Sequence, residues 1–189
     1  MSGDTAGVPP APLGSYPGRT RVVPGHRDEA TANTGAPMAT LHFTETTDAT
    51  PEQFVAALTD FGPGREELFG NSTDKYLEVH TRGPTEADVT EGSRGIWERL
   101  HYDWSNPHRV VMTTTDSNLW GGRSGHTYQF TPRPDGKTDV DVVVVREGKN
   151  VAGRALGAVV GSVGRGMLRN AFHKTVEAVE ARANGTPQS

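Results

Sequence analysis

The sequence feature that most constrains the fold is a long amphipathic pattern near the C-terminus. Between about residues 150 and 183, apolar residues recur every three or four positions, which is typical of a helix with one buried face. Its stripe consists of Leu156, Val160, Val163, Met167, Leu168, Ala171, Phe172, Val176 and Val179. A helix of roughly 30 residues would be about 45 Å long, and Asn184-Gly185 is a suitable cap for its C-terminus. Because one helix cannot bury such a stripe alone, the rest of the chain must provide a surface for it.

The preceding residues predict that surface to be an antiparallel sheet. An alternating strand at 39–47 is followed by a helix that begins at Pro51, with a capping box of Thr50 and Gln53, and by one more helical turn at 65–69. Residues 91–93 are predicted as a turn, and Asp135-Gly136 is a strong hairpin signal. Six further short strands are predicted at 76–80, 86–90, 95–104, 109–115, 124–131 and 138–146. We therefore expect an α+β domain in which about seven strands curve around the long helix.

This order of elements resembles a known superfamily. Two local stretches add to the likeness: residues 97–104 (WERLHYDW), which lead to the loop 116–120 (DSNLW), and the glycine- and arginine-punctuated helix around 153–166. Over residues 39–183 the chain resembles the helix-grip fold of START-like proteins, in particular the bacterial polyketide cyclase/dehydrase-like (SRPBCC) branch. The resemblance implies an internal cavity between sheet and helix and a hydrophobic ligand such as a lipid, a polyketide or an aromatic metabolite. It supplies no shared catalytic residue.

The chain divides into three parts by composition. Residues 1–37 hold six of the thirteen prolines and six of the 23 glycines, with almost no large aliphatic side chains. Such a stretch buries too little apolar surface to offset the entropy of ordering, so we expect a disordered tail. Met38 directly precedes the first strand and is a possible true start of the protein. We expect the folded domain at 38–184 and a frayed end at 185–189.

Composition also excludes several classes of function. The chain has no cysteine, which rules out disulfides, thiolate catalysis and cysteine-based zinc sites. Its net charge of -4 argues against a nucleic-acid partner, which requires a basic surface. The seven histidines show no spacing typical of a metal site, and no apolar run reaches the roughly 20 residues of a membrane span. With no apolar leader visible, we expect a cytoplasmic monomer or weak homodimer that uses no metal and no cofactor.

Strand alternation provides the candidate catalytic residues. His126 and Tyr128 share a strand face with Phe130, and Arg146 shares one with Val142 and Val144 on the next strand, so these faces are expected to point inward. Polar groups in an apolar pocket can orient a ligand or perform acid–base chemistry.

The strand at 95–104 has two possible orientations. The more apolar face carries Glu98 between Ile96 and Leu100, and we take it as the inward one. Glu98 would then be a general base or would pair with Arg146. The opposite register would place Trp97 against the cavity and leave Glu98 in solvent.

The expected ligand-binding residues come from the strands, the helix stripe and one loop. Trp120 lies in a glycine-rich loop and is expected at the cavity mouth. The set comprises Trp120, Tyr128, Val142, Val144, Leu156, Val160 and Met167. Glycines 153, 157 and 161 stand at four-residue spacing on the long helix, where they allow either close approach to the sheet or room for a ligand.

Three functions are compatible with this sequence. The first is binding of a hydrophobic small molecule in an internal cavity. The second is a cyclase- or dehydratase-like enzyme that uses Glu98, His126, Tyr128 and Arg146. The third is an interaction module whose groove takes a partner helix or peptide.

Overall fold

The computed structural model describes residues 38–70, 72–162 and 164–185. The predicted tail at 1–37 lies outside these residues, and so does nearly all of the predicted frayed end.

A seven-stranded antiparallel sheet forms the main layer, as predicted. Its strand order is β1-β7-β6-β5-β4-β3-β2, so the first and last strands pair and the others form a meander. The strands are β1 Met38–Thr47, β2 Glu78–Arg82, β3 Glu86–Ser93, β4 Ile96–Asp103, β5 Arg109–Ser117, β6 Gly125–Pro132 and β7 Thr138–Glu147. The predicted hairpin before β7 is present, with Gly136 at φ 82°.

Two short helices follow β1. Helix α1 (Pro51–Leu58) begins with the predicted capping box, in which the Thr50 hydroxyl accepts from the Gln53 amide and the Gln53 side chain accepts from the Thr50 amide. Helix α2 (Arg65–Leu68) is a single turn that begins after Gly64 at φ 85°. Both helices contact the long C-terminal helix, and α1 also contacts β5 and β6.

The long C-terminal helix consists of α3 (Val151–Ser162) and α4 (Gly164–Ala183), with residue 163 between them outside the described residues. The Asn150 side chain caps α3, since its oxygen accepts from the Gly153 amide at 2.8 Å and its nitrogen donates to the Asn118 carbonyl at 2.8 Å. A Cβ at Gly153 would overlap the carbonyl oxygen of Leu119. Gly153 therefore permits the close approach that the glycine spacing suggested.

The turn predicted at 91–93 is wrong, because β3 continues to Ser93 and the chain reverses at Arg94-Gly95, both with positive φ. Gly92 lies inside the strand, where a Cβ would overlap the backbone of β4 at Ile96. A glycine inside a strand often marks such a close backbone approach, and the sequence pattern alone does not distinguish it from a turn. Strand β2 also begins two residues later than the predicted 76–80.

The apolar core lies between the sheet and helices α1 and α4. Phe54 of α1 packs against Phe130 of β6 with ring centroids 5.4 Å apart, and Phe172 of α4 packs against Phe43 of β1 at 6.4 Å. The buried face of α4 follows Phe172, Val176 and Val179.

Met167 is 70% exposed, so its predicted place in a cavity wall is wrong. The inward position at that level of the helix belongs to the neighbouring Leu168, which packs against the core. A one-residue shift is enough to turn a side chain by about 100° on a helix.

Candidate functional site

A cavity of about 160 Å³ lies on the inner face of strands β3 to β6, next to helix α2. Phe69, Ile96, Leu100 and Met112 provide its apolar wall. Its polar wall consists of Arg65, Glu91, Glu98, Tyr102, His126 and Tyr128. Among the described residues, neither α3 nor α4 contributes to this wall, so the expected cavity between sheet and long helix is displaced toward α2.

The first polar group of the wall consists of Arg65, Glu91 and Tyr102, which we call the Arg65 cluster. Arg65 and Glu91 form a buried ion pair, and the Tyr102 hydroxyl is hydrogen-bonded to both. Arg65 is only 2% exposed. Its Nε donates to Glu91 Oε1 at 2.8 Å, its Nη2 donates to the Tyr102 hydroxyl at 2.9 Å, and the Tyr102 hydroxyl donates to Glu91 Oε1 at 2.9 Å. Arg65 Nη1 donates to the carbonyl oxygens of Leu58 at 3.1 Å and Asp60 at 2.7 Å. The cluster thus joins the end of α1 to α2, β3 and β4.

Aromatic rings enclose the Arg65 guanidinium. The rings of Phe61 and Phe69 both have centroids 4.8 Å from its central carbon. Phe61 also packs edge-on against Tyr102 at 5.0 Å. Burial, reinforced by the charge of Glu91, raises the pKa of Tyr102 well above its usual value, so this hydroxyl stays protonated. Such stacking and pairing together allow a guanidinium to be buried.

The second polar group, which we call the Arg146 cluster, consists of Arg146, Glu98 and His126. Arg146 Nη2 lies 3.1 Å from Glu98 Oε1 and 2.5 Å from His126 Nε2. The other Glu98 oxygen accepts from the Thr114 hydroxyl at 3.0 Å. Both charged side chains are nearly buried, and strand β4 presents the predicted face to the cavity.

The protonation of His126 follows from its partner. A guanidinium can only donate, so His126 Nε2 must accept, which places the proton of a neutral imidazole on Nδ1. Burial, together with the charge of Arg146, lowers the pKa of His126 well below its usual value. His126 therefore offers an N–H on its other nitrogen, and among the described residues Nδ1 has no hydrogen-bond partner.

Tyr128 lies between the two clusters. It is 8% exposed and lines the cavity, and its hydroxyl has no hydrogen-bond partner in the described part of the chain. Burial raises the pKa of Tyr128 to about 12, with opposing influences from Arg65 and Arg146, which lower it, and Glu91, which raises it. These couplings place the hydroxyl within electrostatic range of both ion pairs.

The structure thus brings all four candidate catalytic residues together. Glu98, His126 and Tyr128 belong to the cavity wall, whereas Arg146 lies behind Glu98 and His126.

The expected ligand-binding residues are mostly elsewhere. Val142 is buried in the core, and Val144 and Val160 pack against it. Leu156 is half-buried on α3. Among the described residues, none of these four lines the cavity, because α3 packs over β1 and β7 while the cavity lies under β3 to β6.

The structure corrects the predicted position of Trp120 at the cavity mouth. The side chain is 4% exposed, and its ring lies 5.4 Å from the Arg146 guanidinium, near Gly157 of α3. Trp120 therefore packs behind the Arg146 cluster, where it shields that ion pair from the side of α3.

Three polar residues of the wall, Arg65, Glu91 and Tyr102, are absent from the sequence-based candidates. The local pattern places Arg65 in an ordinary helical turn and Glu91 in a turn between strands. The signal that could have found Arg65 is the spacing of Phe61, Arg65 and Phe69, which puts aromatic residues four positions to either side of the arginine.

The described residues contain neither a metal-ion cluster nor a membrane-spanning helix. In that part of the chain, no group of three or more histidine and carboxylate side chains is arranged to hold a metal ion. No helix there is long and apolar enough to cross a membrane.

Comparison with known proteins identifies the fold and a family. A family model described as polyketide cyclase / dehydrase and lipid transport matches residues 38–181. No curated protein matches this chain.

Three solved structures illustrate the likeness. The Zhui aromatase/cyclase from Streptomyces sp. R1128 superimposes with a TM-score of 0.62 at 14% identity, covering 80% of this chain and 100% of that protein. A protein from Thermus thermophilus gives 0.58 at 16% identity, covering 76% and 98%. A START superfamily protein from Mycobacterium smegmatis gives 0.57 at 12% identity, covering 77% and 97%. At these identities the solved structures show the shared helix-grip fold alone.

Proposed function

The chain belongs to the polyketide cyclase/dehydrase and lipid transport family, and we propose that it binds a small hydrophobic molecule in the cavity under strands β3 to β6. The observation that carries this proposal is the composition of the wall. Apolar side chains such as Leu100 and Met112 stand beside a few polar groups, some of which have no partner among the described residues. Ligand sites typically combine an apolar lining with a small number of polar groups that orient the ligand.

A variant that fills the cavity tests this function. Met112 points into the cavity, whereas the next residue on β5, Thr113, is exposed on the outer face. Met112→Trp should occupy the space of the ligand, and Thr113→Trp should add the same ring outside it.

Native mass spectrometry of both variants and the wild type, purified from the natural host, gives the readout. We expect a co-purifying small molecule with wild type and Thr113→Trp, and its loss from Met112→Trp. Apolar fluorophores should follow the same order of binding. A molecule retained equally by Met112→Trp would place the ligand elsewhere, and circular dichroism checks that each variant is folded.

A second candidate function is catalysis of a cyclase or dehydratase type. The observation that favours it is that three ionisable side chains, Glu98, His126 and Tyr128, line the same cavity. A protonated tyrosine and a neutral imidazole can stabilise a carbonyl oxygen as it gains negative charge, and a carboxylate can accept a proton from carbon or oxygen.

Binding without turnover separates the two candidates. An enzyme should convert a bound polyketide-like substrate, and Tyr128→Phe and Glu98→Gln should lower that turnover while the substrate still binds. If the wild-type protein returns bound molecules unchanged, the enzyme hypothesis fails and the binding function stands.

The interaction-module hypothesis gains no support from this arrangement. Helices α1, α3 and α4 of the chain itself contact β1, β5, β6 and β7, where a partner helix would have to lie.

A further inference from the structure

The size of the cavity limits its ligand. Sites for drug-sized molecules measure about 300–1,000 Å³, whereas an apolar cavity of about 150 Å³ holds one benzene molecule. The cavity of this protein is about 160 Å³. It therefore has room for one ring with small substituents, and the further rings of a polycyclic molecule would lie outside it.

The charges of the wall are already balanced. Arg65 donates four hydrogen bonds, to Glu91, Tyr102 and two backbone carbonyls, and its Nη2 also lies 2.7 Å from Glu91 Oε1 in the ion pair. Arg146 is paired with Glu98 at 3.1 Å. A carboxylate or phosphate in the cavity would meet two carboxylates whose partner cations are already committed. An anionic ligand, including a fatty acid, would lose hydration without gaining a free cation.

Three polar atoms at the wall remain without a partner among the described residues. They are the Tyr128 hydroxyl, which donates as long as it is protonated, His126 Nδ1, which carries a proton, and Glu91 Oε2, which can only accept. A ligand that fills the cavity would bury these three atoms. Because a buried polar group without a hydrogen-bond partner costs free energy, a ligand that pairs them is favoured over one that does not.

We infer that the cavity takes an uncharged, single-ring aromatic molecule that carries an oxygen acceptor for Tyr128 and His126 and a hydroxyl group for Glu91. This inference rests on the proposed binding function and names the class of its ligand. It also predicts that the Tyr128 hydroxyl selects the ligand, a role that packing of the Tyr128 ring in the core would not require.

A matched series of ligands tests the inference by isothermal titration calorimetry. The reference probe is 4-methoxyphenol, which is neutral at pH 7 and has one ring, an ether oxygen and a hydroxyl. 4-Methylanisole has a methyl group in place of the hydroxyl, and 4-hydroxybenzoate has an anionic carboxylate in place of the methoxy group. 6-Methoxy-2-naphthol has a second fused ring, and oleate represents fatty acids.

We expect 4-methoxyphenol to bind more tightly than each of the other four probes. Loss of one hydrogen bond to a buried polar group should weaken binding by about tenfold. Tyr128→Phe should weaken 4-methoxyphenol binding by a similar factor. Tyr76→Phe is the matched control and should have no effect, because Tyr76 is not among the residues that line the cavity and its hydroxyl accepts from the Gly95 amide.

The outcomes separate this inference from the proposed function. Tighter binding of oleate, 4-hydroxybenzoate or 6-methoxy-2-naphthol overturns the inference and leaves a binding protein for another ligand class. Equal binding of 4-methoxyphenol by wild type and Tyr128→Phe also overturns it. If no probe binds and apolar fluorophores do not bind either, the proposed function itself fails.

Discussion

The substitution Arg65→Met tests the contribution of the Arg65 cluster to stability. Methionine keeps most of the side-chain volume between Phe61 and Phe69 but removes the charge and all five N–H donors. Glu91 then remains as a buried carboxylate whose only close donor among the described residues is the Tyr102 hydroxyl. Removing one partner of a buried ion pair typically costs about 3–5 kcal/mol.

We expect Arg65→Met to lower the free energy of unfolding by about 4 kcal/mol, within that range. The loss is large against the roughly 5–15 kcal/mol that stabilises a typical domain. Urea unfolding followed by circular dichroism measures it. Arg99→Met on β4 is the control, because Arg99 is exposed and should change stability by less than about 0.5 kcal/mol.

A double-mutant cycle with Glu91→Gln isolates the pair. In Arg65→Met/Glu91→Gln the uncompensated charge is gone, so the double variant should be more stable than the sum of the single losses predicts, by about 1–3 kcal/mol. Additive losses, or a loss below about 1 kcal/mol for Arg65→Met, would show that solvent reaches the cluster and screens its charges.

Two further predictions concern a helix glycine and a buried hydroxyl. Gly153→Ala should destabilise the protein by about 1–3 kcal/mol, because its methyl group would overlap the Leu119 carbonyl. Gly166→Ala is the control and should stabilise the protein by up to about 1 kcal/mol, because a Cβ at Gly166 would meet open space. Equal effects of the two substitutions in thermal unfolding would contradict the close approach of Gly153 to Leu119. The pKa of Tyr128 is raised from 10.0 to about 12, so its contribution to stability is complete below pH 10 and is lost as the pH rises toward 12. In urea unfolding at several pH values, wild type should therefore lose up to about 3 kcal/mol more than Tyr128→Phe between about pH 9 and 12, and parallel losses would refute the shift.

The fold was largely predictable from local patterns. Alternation in the strands, the capping box at Thr50 and the Asp135-Gly136 turn each report a short-range preference, and the antiparallel meander follows from them. The face of β4 that carries Glu98 was also predicted correctly, because Leu100 and Tyr102 mark the apolar side.

The site was predictable only where the residues share strands with the apolar pattern. Glu98, His126 and Tyr128 met this condition, and the alternative that Glu98 pairs with Arg146 agrees with the structure. Arg65 and Glu91 are 26 residues apart and meet through a hydrogen bond between a side chain of α2 and one of β3. No local preference encodes that contact, so the part of the polar wall formed by the Arg65 cluster was missed.

The placement of the long helix shows a different kind of limit. Its stripe was recognised, but helical periodicity alone cannot say which part of the sheet a given turn meets. The prediction that Leu156 and Val160 line the cavity therefore failed, because α3 lies over β1 and β7.

The Arg65 cluster also restricts how this protein can change over evolutionary time. One carboxylate oxygen, Glu91 Oε1, accepts hydrogen bonds from both Arg65 and Tyr102. A lineage that replaced Arg65 first would carry an unpaired carboxylate in its interior, and one that replaced Glu91 first would carry an unpaired guanidinium. Descendants are therefore expected to keep the arginine and the glutamate together or to lose them together, with few intermediates between those two states.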